Sequence, residues 1–163
     1  GRTPVEALHN AAVAYRAFGA FELAWQTATA SADRAVEAGD ARGEAQAHNT
    51  LGLIALDRGE NDRALEHHLR ALSLRERVGD REGLAYSYNN IGNIYFLQER
   101  LEEARQAYEA SLKVEPGDTG IMMNLCRIRI REGRKDEARN LFKEARASTS
   151  VPSTEKCLWW PLC

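Results

Sequence analysis

Small, apolar and aromatic residues recur along the chain in a fixed frame, which predicts pairs of antiparallel helices. The clearest copy is Asn90-Ile91-Gly92-Asn93-Ile94-Tyr95, followed by Ala104, Tyr108, Leu112 and Pro116. The same frame opens with Thr50-Leu51-Gly52 and Asn10-Ala11-Ala12 at intervals of forty residues, and with Asn124-Leu125-Cys126 thirty-four residues after Asn90. Four copies exceed the roughly three that such stacks need to bury a continuous core.

Helix-capping signals indicate where each predicted helix begins and ends. Thr3-Pro4-Val5-Glu6 is a capping box with proline at the first helical position. Gly-Asp pairs at 39–40, 79–80 and 117–118 suit a helix that ends on a left-handed glycine before the next helix starts at an aspartate cap. The predicted helices span residues 4–17, 21–38, 41–57, 62–78, 81–97, 101–114, 119–131 and 135–147. No segment has the pattern of a strand.

This frame resembles the tetratricopeptide repeat, in the long-repeat subclass of the Leu-Gly-Asn spindle-orientation adaptors, kinesin light chain and bacterial signalling regulators. The resemblance implies an all-α fold, a right-handed superhelix (α-α solenoid) of four helix pairs with an apolar C-terminal tail. The predicted repeat domain spans residues 1–147, with repeats at about 4–40, 41–80, 81–118 and 119–147. A Ser/Thr/Pro linker at 148–154 and a Trp-rich tail at 155–163 complete the predicted organisation.

Composition narrows the class of protein further. With 163 residues, 44% of them hydrophobic and 28% charged, the chain is expected to be a soluble domain without a membrane span. A net charge of −2 argues against a protein that coats nucleic acid, although the last repeat is basic. Three cysteines favour a reducing cytoplasm. Because the chain opens without a methionine or a signal stretch, it is expected to be a piece of a longer protein.

No sequence motif supports catalysis or a bound cofactor. The chain has no phosphate-binding glycine loop, no nucleophile elbow and no cysteine pair at metal-binding spacing. His67 and His68 are adjacent, so on a helix they point about 100° apart and cannot act as co-ligands. We therefore predict a protein that is not an enzyme and holds neither cofactor nor metal.

The resemblance implies that the first helix of each pair lines a concave groove that binds an extended peptide. Asparagine offers both donor and acceptor groups, so a line of asparagines can pair with a peptide backbone, as it does in long-repeat relatives. The alternative is that these asparagines satisfy neighbouring helix termini or only solvate the groove. The predicted peptide-binding residues are Asn10, Arg16, Asn49, Thr50, Leu53, Leu56, Tyr86, Asn89, Asn90, Asn93, Phe96, Leu97, Asn124, Arg127 and Arg131.

Arginines in the groove could give it a preference for negatively charged ligands. Arg127 and Arg131, one helical turn apart, could receive a carboxylate, or they could simply form a solvated basic surface. The chaperone-tail clamp of some tetratricopeptide proteins needs a lysine where this chain has His9. That departure argues against a chaperone cofactor.

The tail has three interpretations. Leu158, Trp159, Trp160 and Leu162 could cover the end of the last helix pair, occupy a groove in the same or a neighbouring chain, or belong to an appended peptide. Cys157 and Cys163 could close a small disulfide ring or remain free thiols. The predicted function is a protein-interaction module that binds an extended peptide. The alternative is a self-association scaffold that uses the tail.

Overall fold

The structure, a computed structural model, describes residues 3–148. These residues form eight α-helices and no strand, which confirms the all-α prediction. The helices are α1 Pro4–Ala17, α2 Phe21–Ala38, α3 Ala41–Asp57, α4 Asn61–Val78, α5 Arg81–Leu97, α6 Leu101–Val114, α7 Thr119–Arg131 and α8 Lys135–Ser148. The predicted bounds differ from these by one residue at the start of α4 and at the end of α8. Ser148, predicted to open the linker, belongs to α8.

The capping signals act as the sequence predicts from α1 to α5, whereas α6 ends with Glu115 as its C-cap and not on the left-handed Gly117. Thr3 and Glu6 form a reciprocal capping box, in which each side chain accepts a hydrogen bond from the other residue's backbone N–H. Asp40 and Asp80 cap α3 and α5 by accepting from backbone N–H groups at 2.9 and 3.1 Å. Gly39 ends α2 in the left-handed conformation, with φ of 65°. The boundaries are therefore fixed by local contacts.

In the second and third pairs, a glycine of the first helix lies directly against a ring of the second helix. A Cβ added at Gly92 would lie 2.7 Å from the Tyr108 ring, and one added at Gly52 would lie 2.7 Å from the His68 ring. Both rings are buried. Each glycine therefore provides the space that the facing ring fills.

The described residues divide into two compact units, one that ends at Pro116 and one that begins at Gly117. In the first unit, α1 to α6 form three helix pairs, and α2 packs on α3 as α4 packs on α5. Its core holds small and branched residues, namely Ala12, Ala24, Ala28, Leu51, Ile54, Ala55, Ala64 and Ile94. In the second unit, α7 packs on α8. The predicted domain limits stay a prediction.

None of the eight described helices combines the length and apolar character that a membrane span requires. The predicted linker beyond Ser148 and the tail residues Leu158, Trp159, Trp160 and Leu162 lie outside the described residues.

Replacing Ala104 with leucine is expected to destabilise the first unit. Ala104 has no exposed surface, so three additional heavy atoms must displace packed neighbours, at a cost of about 1–3 kcal/mol. Urea unfolding of Ala104→Leu measures this loss. Ala30→Leu, on an exposed position of α2, is the control and should change stability by less than about 0.5 kcal/mol. Equal unfolding midpoints for Ala104→Leu and the parent would show that the packing is misassigned.

Candidate functional site

Two buried asparagines join the first helices of the second and third pairs. Asn49 of α3 and Asn90 of α5 are each 8% exposed, and Asn90 Nδ2 donates a hydrogen bond to Asn49 Oδ1 at 3.1 Å. The contact uses one of the two donors of Asn90 and one of the two lone pairs of Asn49. The predicted asparagine line is thus partly an interhelical contact, and its two amides retain further hydrogen-bonding capacity.

The same register recurs between α1 and α3. Thr50 Oγ1 lies 3.5 Å from His9 Nδ1, and these residues, like Asn49 and Asn90, are separated by 41 positions. Thr50 is buried, and burial lowers the pKa of His9, so His9 is neutral at pH 7. Asn10, the predicted partner in the asparagine line, is exposed on α1.

An ion pair also links α1 and α3, about two helical turns beyond the His9–Thr50 contact. Arg16 Nε donates to Asp57 Oδ2 at 2.5 Å and Arg16 Nη2 donates to Asp57 Oδ1 at 3.2 Å, again across 41 positions. The two side chains are 32% and 31% exposed. Arg16, predicted as a peptide-binding residue, is therefore already held by a carboxylate of its own chain.

On α5, the predicted site residues divide into polar and apolar sets. Asn93 Oδ1 accepts a hydrogen bond from the hydroxyl of the buried Tyr108 at 2.7 Å, so this amide is tied to the core. Tyr86 and Leu97 are 47% and 58% exposed. The remaining predicted residues of α3 and α5 are partly buried, namely Leu53, Leu56, Asn89 and Phe96.

The predicted residues of the second unit all lie on α7. Asn124 Oδ1 accepts a hydrogen bond from Arg127 Nη1 at 3.3 Å. Arg127 and Arg131 are both exposed. Their proposed role as carboxylate receptors stays a prediction.

The structure also reveals a histidine pair that the sequence analysis missed. His48 of α3 and His67 of α4 bring their Nδ1 atoms within 3.0 Å. The ring centroids are 5.3 Å apart. With the Nδ1 atoms 3.0 Å apart, the centroids can hardly be further from each other, so both Nδ1 atoms lie between them and the rings meet at their edges. This is the geometry of an N–H···N hydrogen bond. The sequence analysis compared His67 only with His68 on the same helix, and therefore missed its neighbour His48 on α3.

The surroundings of the histidine pair indicate how it is protonated. Burial, with a smaller effect of Arg70, lowers the pKa of His48 to about 4, and burial also lowers the pKa of His67. His48 Nε2 lies 3.9 Å from a Glu44 oxygen, and the tautomers of the two rings decide which Nδ1 donates in the His48–His67 contact. Trp25 packs against His67 in a T-shaped contact. Over residues 3–148, no three histidine, cysteine or acidic side chains come together as a metal-binding group.

Comparison with known proteins identifies the fold. Two family profiles described as tetratricopeptide repeat match residues 43–114 and residues 95–150. The chain belongs to the tetratricopeptide repeat family. No curated protein sequence matches it.

Several solved tetratricopeptide-like structures are similar to this chain. A crystal structure of MamA shares 23% identity at a TM-score of 0.72, covering 89% of this chain and 78% of MamA. BtubC (BKLC) from P. vanneervenii shares 18% identity at 0.80, covering 98% and 71%. The apo form of RapI shares 18% identity at 0.81, covering 88% of this chain but 55% of RapI. At these identities the likeness shows the fold alone.

Family membership establishes the general kind of activity. Tetratricopeptide proteins generally mediate protein–protein interactions and are typically non-enzymatic scaffolds. The chain is accordingly a helical repeat protein of the protein-binding scaffold class.

We expect folding stability to fall as the pH drops from about 6.5 towards 4. Burial lowers the pKa of His68, like that of His48, to about 4, whereas histidines of the unfolded chain titrate near ~6.5. Below pH 6.5 the unfolded chain therefore binds more protons than the folded chain. The free energy of unfolding consequently decreases as the pH falls below this value. Each histidine should remove up to about 3 kcal/mol by pH 4.

Urea unfolding across this pH range tests the expectation. His68→Phe removes one titrating group and should flatten the decline. Tyr108→Phe changes the corresponding ring of the next pair without removing a histidine, and should shift stability equally at every pH. A His68→Phe protein that declines as steeply as the parent would contradict the assignment.

Proposed function

We propose that the first helices of residues 3–116 form a face that binds an extended peptide segment of a partner protein. The observation that supports this most directly is the Asn49–Asn90 pair. Two amides from adjacent helices are held 3.1 Å apart, and each keeps hydrogen-bonding capacity beyond their shared bond. An extended backbone presents N–H and C=O groups of the kind that such amides can satisfy.

Neighbouring side chains suit the same role. Tyr86 and Leu97 lie on α5 on either side of Asn90 in sequence, and both are about half exposed. Exposed aromatic and aliphatic side chains beside polar groups are typical of binding surfaces, where the apolar groups contribute affinity and the polar groups fix orientation. The proposed site keeps the predicted residues Asn10, Leu53, Leu56, Asn89, Asn93 and Phe96 around this centre. For the second unit, Asn124, Arg127 and Arg131 on α7 stay a separate proposal for peptide binding.

Removing both amides is expected to weaken peptide binding without unfolding the protein. A ligand for the test can be selected from a phage-displayed library of random peptides about a dozen residues long. Asn49→Ala combined with Asn90→Ala should reduce affinity for the selected peptide by about 1–3 kcal/mol, because peptide groups lose their partners. Deleting both members of the pair leaves neither amide unpaired, so the stability cost should be smaller.

Isothermal titration calorimetry and thermal melts measure the two effects. Asn140→Ala, on an exposed position of α8, is the matched control and should bind like the parent. A folded double variant with unchanged affinity would show that the amides serve only to join the helices.

Self-association through the C-terminal tail stays the alternative. Sedimentation velocity of the protein with and without residues 155–163 tests it, since a tail-dependent oligomer dissociates on deletion and on dilution. A species that sediments identically in both forms would reject this alternative. Cytoplasmic localisation, inferred from cysteine usage, is likewise a proposal.

A further inference from the structure

The first helix pair carries three exposed apolar side chains close to the turn between its helices. Phe18, the C-cap of α1, is 87% exposed, Leu23 of α2 is 50% exposed and Tyr15 of α1 is 39% exposed. We call these three side chains the first-pair patch. Terminal repeats of solenoids generally need a polar outer face to stay soluble, and exposed apolar patches mark interaction sites. The patch shares no residue with the proposed peptide-binding face.

The second pair shows what the equivalent positions contact. The residues forty positions after Phe18 and Leu23 are Arg58 and Arg63. Their guanidinium carbons lie 6.0 and 4.4 Å from the ring centroid of Trp25, which belongs to α2 of the preceding pair. These positions therefore lie on the side of a pair that receives the pair before it, and in the second pair they contact a tryptophan.

The helix that bears most of the patch is oriented in the same way. The residues forty positions after Ala11 and Ala14 of α1 are Leu51 and Ile54 of α3. Leu51 and Ile54 are 3% and 0% exposed and form one core cluster with alanines of α2, against which Trp25 packs. On α1, by contrast, Ala14 is exposed and Ala11 is partly exposed. The side of α1 that carries the patch thus corresponds to the side of α3 that α2 covers.

Side-chain chemistry at these positions distinguishes the first pair from the others. The two positions hold Phe18 and Leu23 in the first pair, Arg58 and Arg63 in the second, Gln98 and Glu103 in the third, and Glu132 and Glu137 in the fourth. Of the four pairs in residues 3–148, the first alone is apolar at both. A charged ligand group would lose water at this patch without gaining an ion pair, whereas an apolar group has no such cost. The patch therefore suits an uncharged, apolar ligand.

The chain itself contains an uncharged segment rich in tryptophan. Two of its three tryptophans, Trp159 and Trp160, lie in the sequence Leu-Trp-Trp-Pro-Leu at 158–162, which has no charged side chain. A tryptophan buries ~150–250 Å² when it packs, so these two rings supply a large apolar surface. They are also the same kind of ring as Trp25, which occupies the equivalent place at the second pair.

We infer that the first-pair patch binds the tryptophan-rich tail, residues 158–162, of a second copy of this chain. The patch lies on the first pair and the tail follows the fourth, and repeat pairs contact mainly their sequence neighbours, so we assign the tail to another chain. The inference goes beyond peptide binding and names the surface that receives the tail. Each copy supplies one patch and one tail, so the contact is heterologous and builds head-to-tail assemblies.

Sedimentation velocity of full-length variants, over a wide range of protein concentration and in a reducing buffer, tests the inference. Phe18→Glu combined with Leu23→Glu gives the first pair the residues that the fourth pair carries, and Trp159→Ala combined with Trp160→Ala alters the tail. The parent should form species whose size grows with concentration, and each double variant should stay monomeric. Circular dichroism establishes that both variants are folded, as expected for substitutions at exposed positions and in the tail.

Val36→Glu combined with Leu69→Glu is the matched control. Both side chains lie outside the patch and are 57% and 43% exposed. The residues forty positions later are Glu76 and Glu109, so glutamate occurs at both places in later pairs. The control gains the same two negative charges as the patch variant and should associate like the parent. A control that is monomeric would overturn the assignment, because added charge alone would then explain the result.

Mixing the two double variants gives the sharpest result. The patch variant keeps an intact tail and the tail variant keeps an intact patch, so an equal mixture should form a dimer of one copy of each and grow no further. A mixture that stays monomeric would overturn the inference. The same holds for a parent that is monomeric at every concentration, or a patch variant that associates as the parent does. Peptide binding around Asn49 and Asn90 is measured separately, and its outcome is independent of these results.

Discussion

In the second and third pairs, the core depends on the close packing of a ring against a glycine of the facing helix. At Gly92 the Tyr108 ring fills the space that a Cβ would need, and its hydroxyl reaches Asn93 at 2.7 Å. In the preceding pair His68 packs on Gly52 in the same way, but both of its ring nitrogens are buried without a hydrogen-bond partner. A ring packs on a glycine in both pairs, but its polar group is hydrogen-bonded only in the third pair. In the second pair, the desolvation of the two ring nitrogens costs free energy. This difference makes the second pair the place where acid acts on stability.

The sequence predicted the helices to within one residue because their ends depend on local chemistry. Thr3, Asp40 and Asp80 cap a helix that starts beside them, so neither a cap nor a left-handed glycine requires knowledge of the tertiary structure. Contacts between helices were less accessible. The Arg16–Asp57 pair and the His48–His67 hydrogen bond depend on how neighbouring helices are rotated and which rotamers their side chains adopt. The sequence analysis predicted a role for Arg16 in the groove but could not show that Asp57 pairs with it.

Contacts between first helices differ in what they contribute. The buried Asn49–Asn90 bond is worth about 0.5–1.5 kcal/mol, and removing one member would leave the other amide poorly satisfied. The Arg16–Asp57 pair is about one-third exposed, so its contribution to stability is about 0–1 kcal/mol. Both contacts therefore join neighbouring first helices, and the buried amide bond contributes more to stability than the partly exposed ion pair.

The Arg16–Asp57, His9–Thr50 and Asn49–Asn90 contacts each span 41 positions, one more than the repeat period of forty residues. Backbone geometry thus brings equivalent positions together at each junction, while the side chains found there vary from an imidazole and a hydroxyl to two amides or an ion pair. The 41-residue offset follows from the fold, whereas the side chains at the contacting positions can differ. Relatives that share the fold at 18–23% identity can therefore present unrelated surfaces at the same positions. The kind of partner that this chain binds must therefore be inferred from its own side chains at the contacts between first helices.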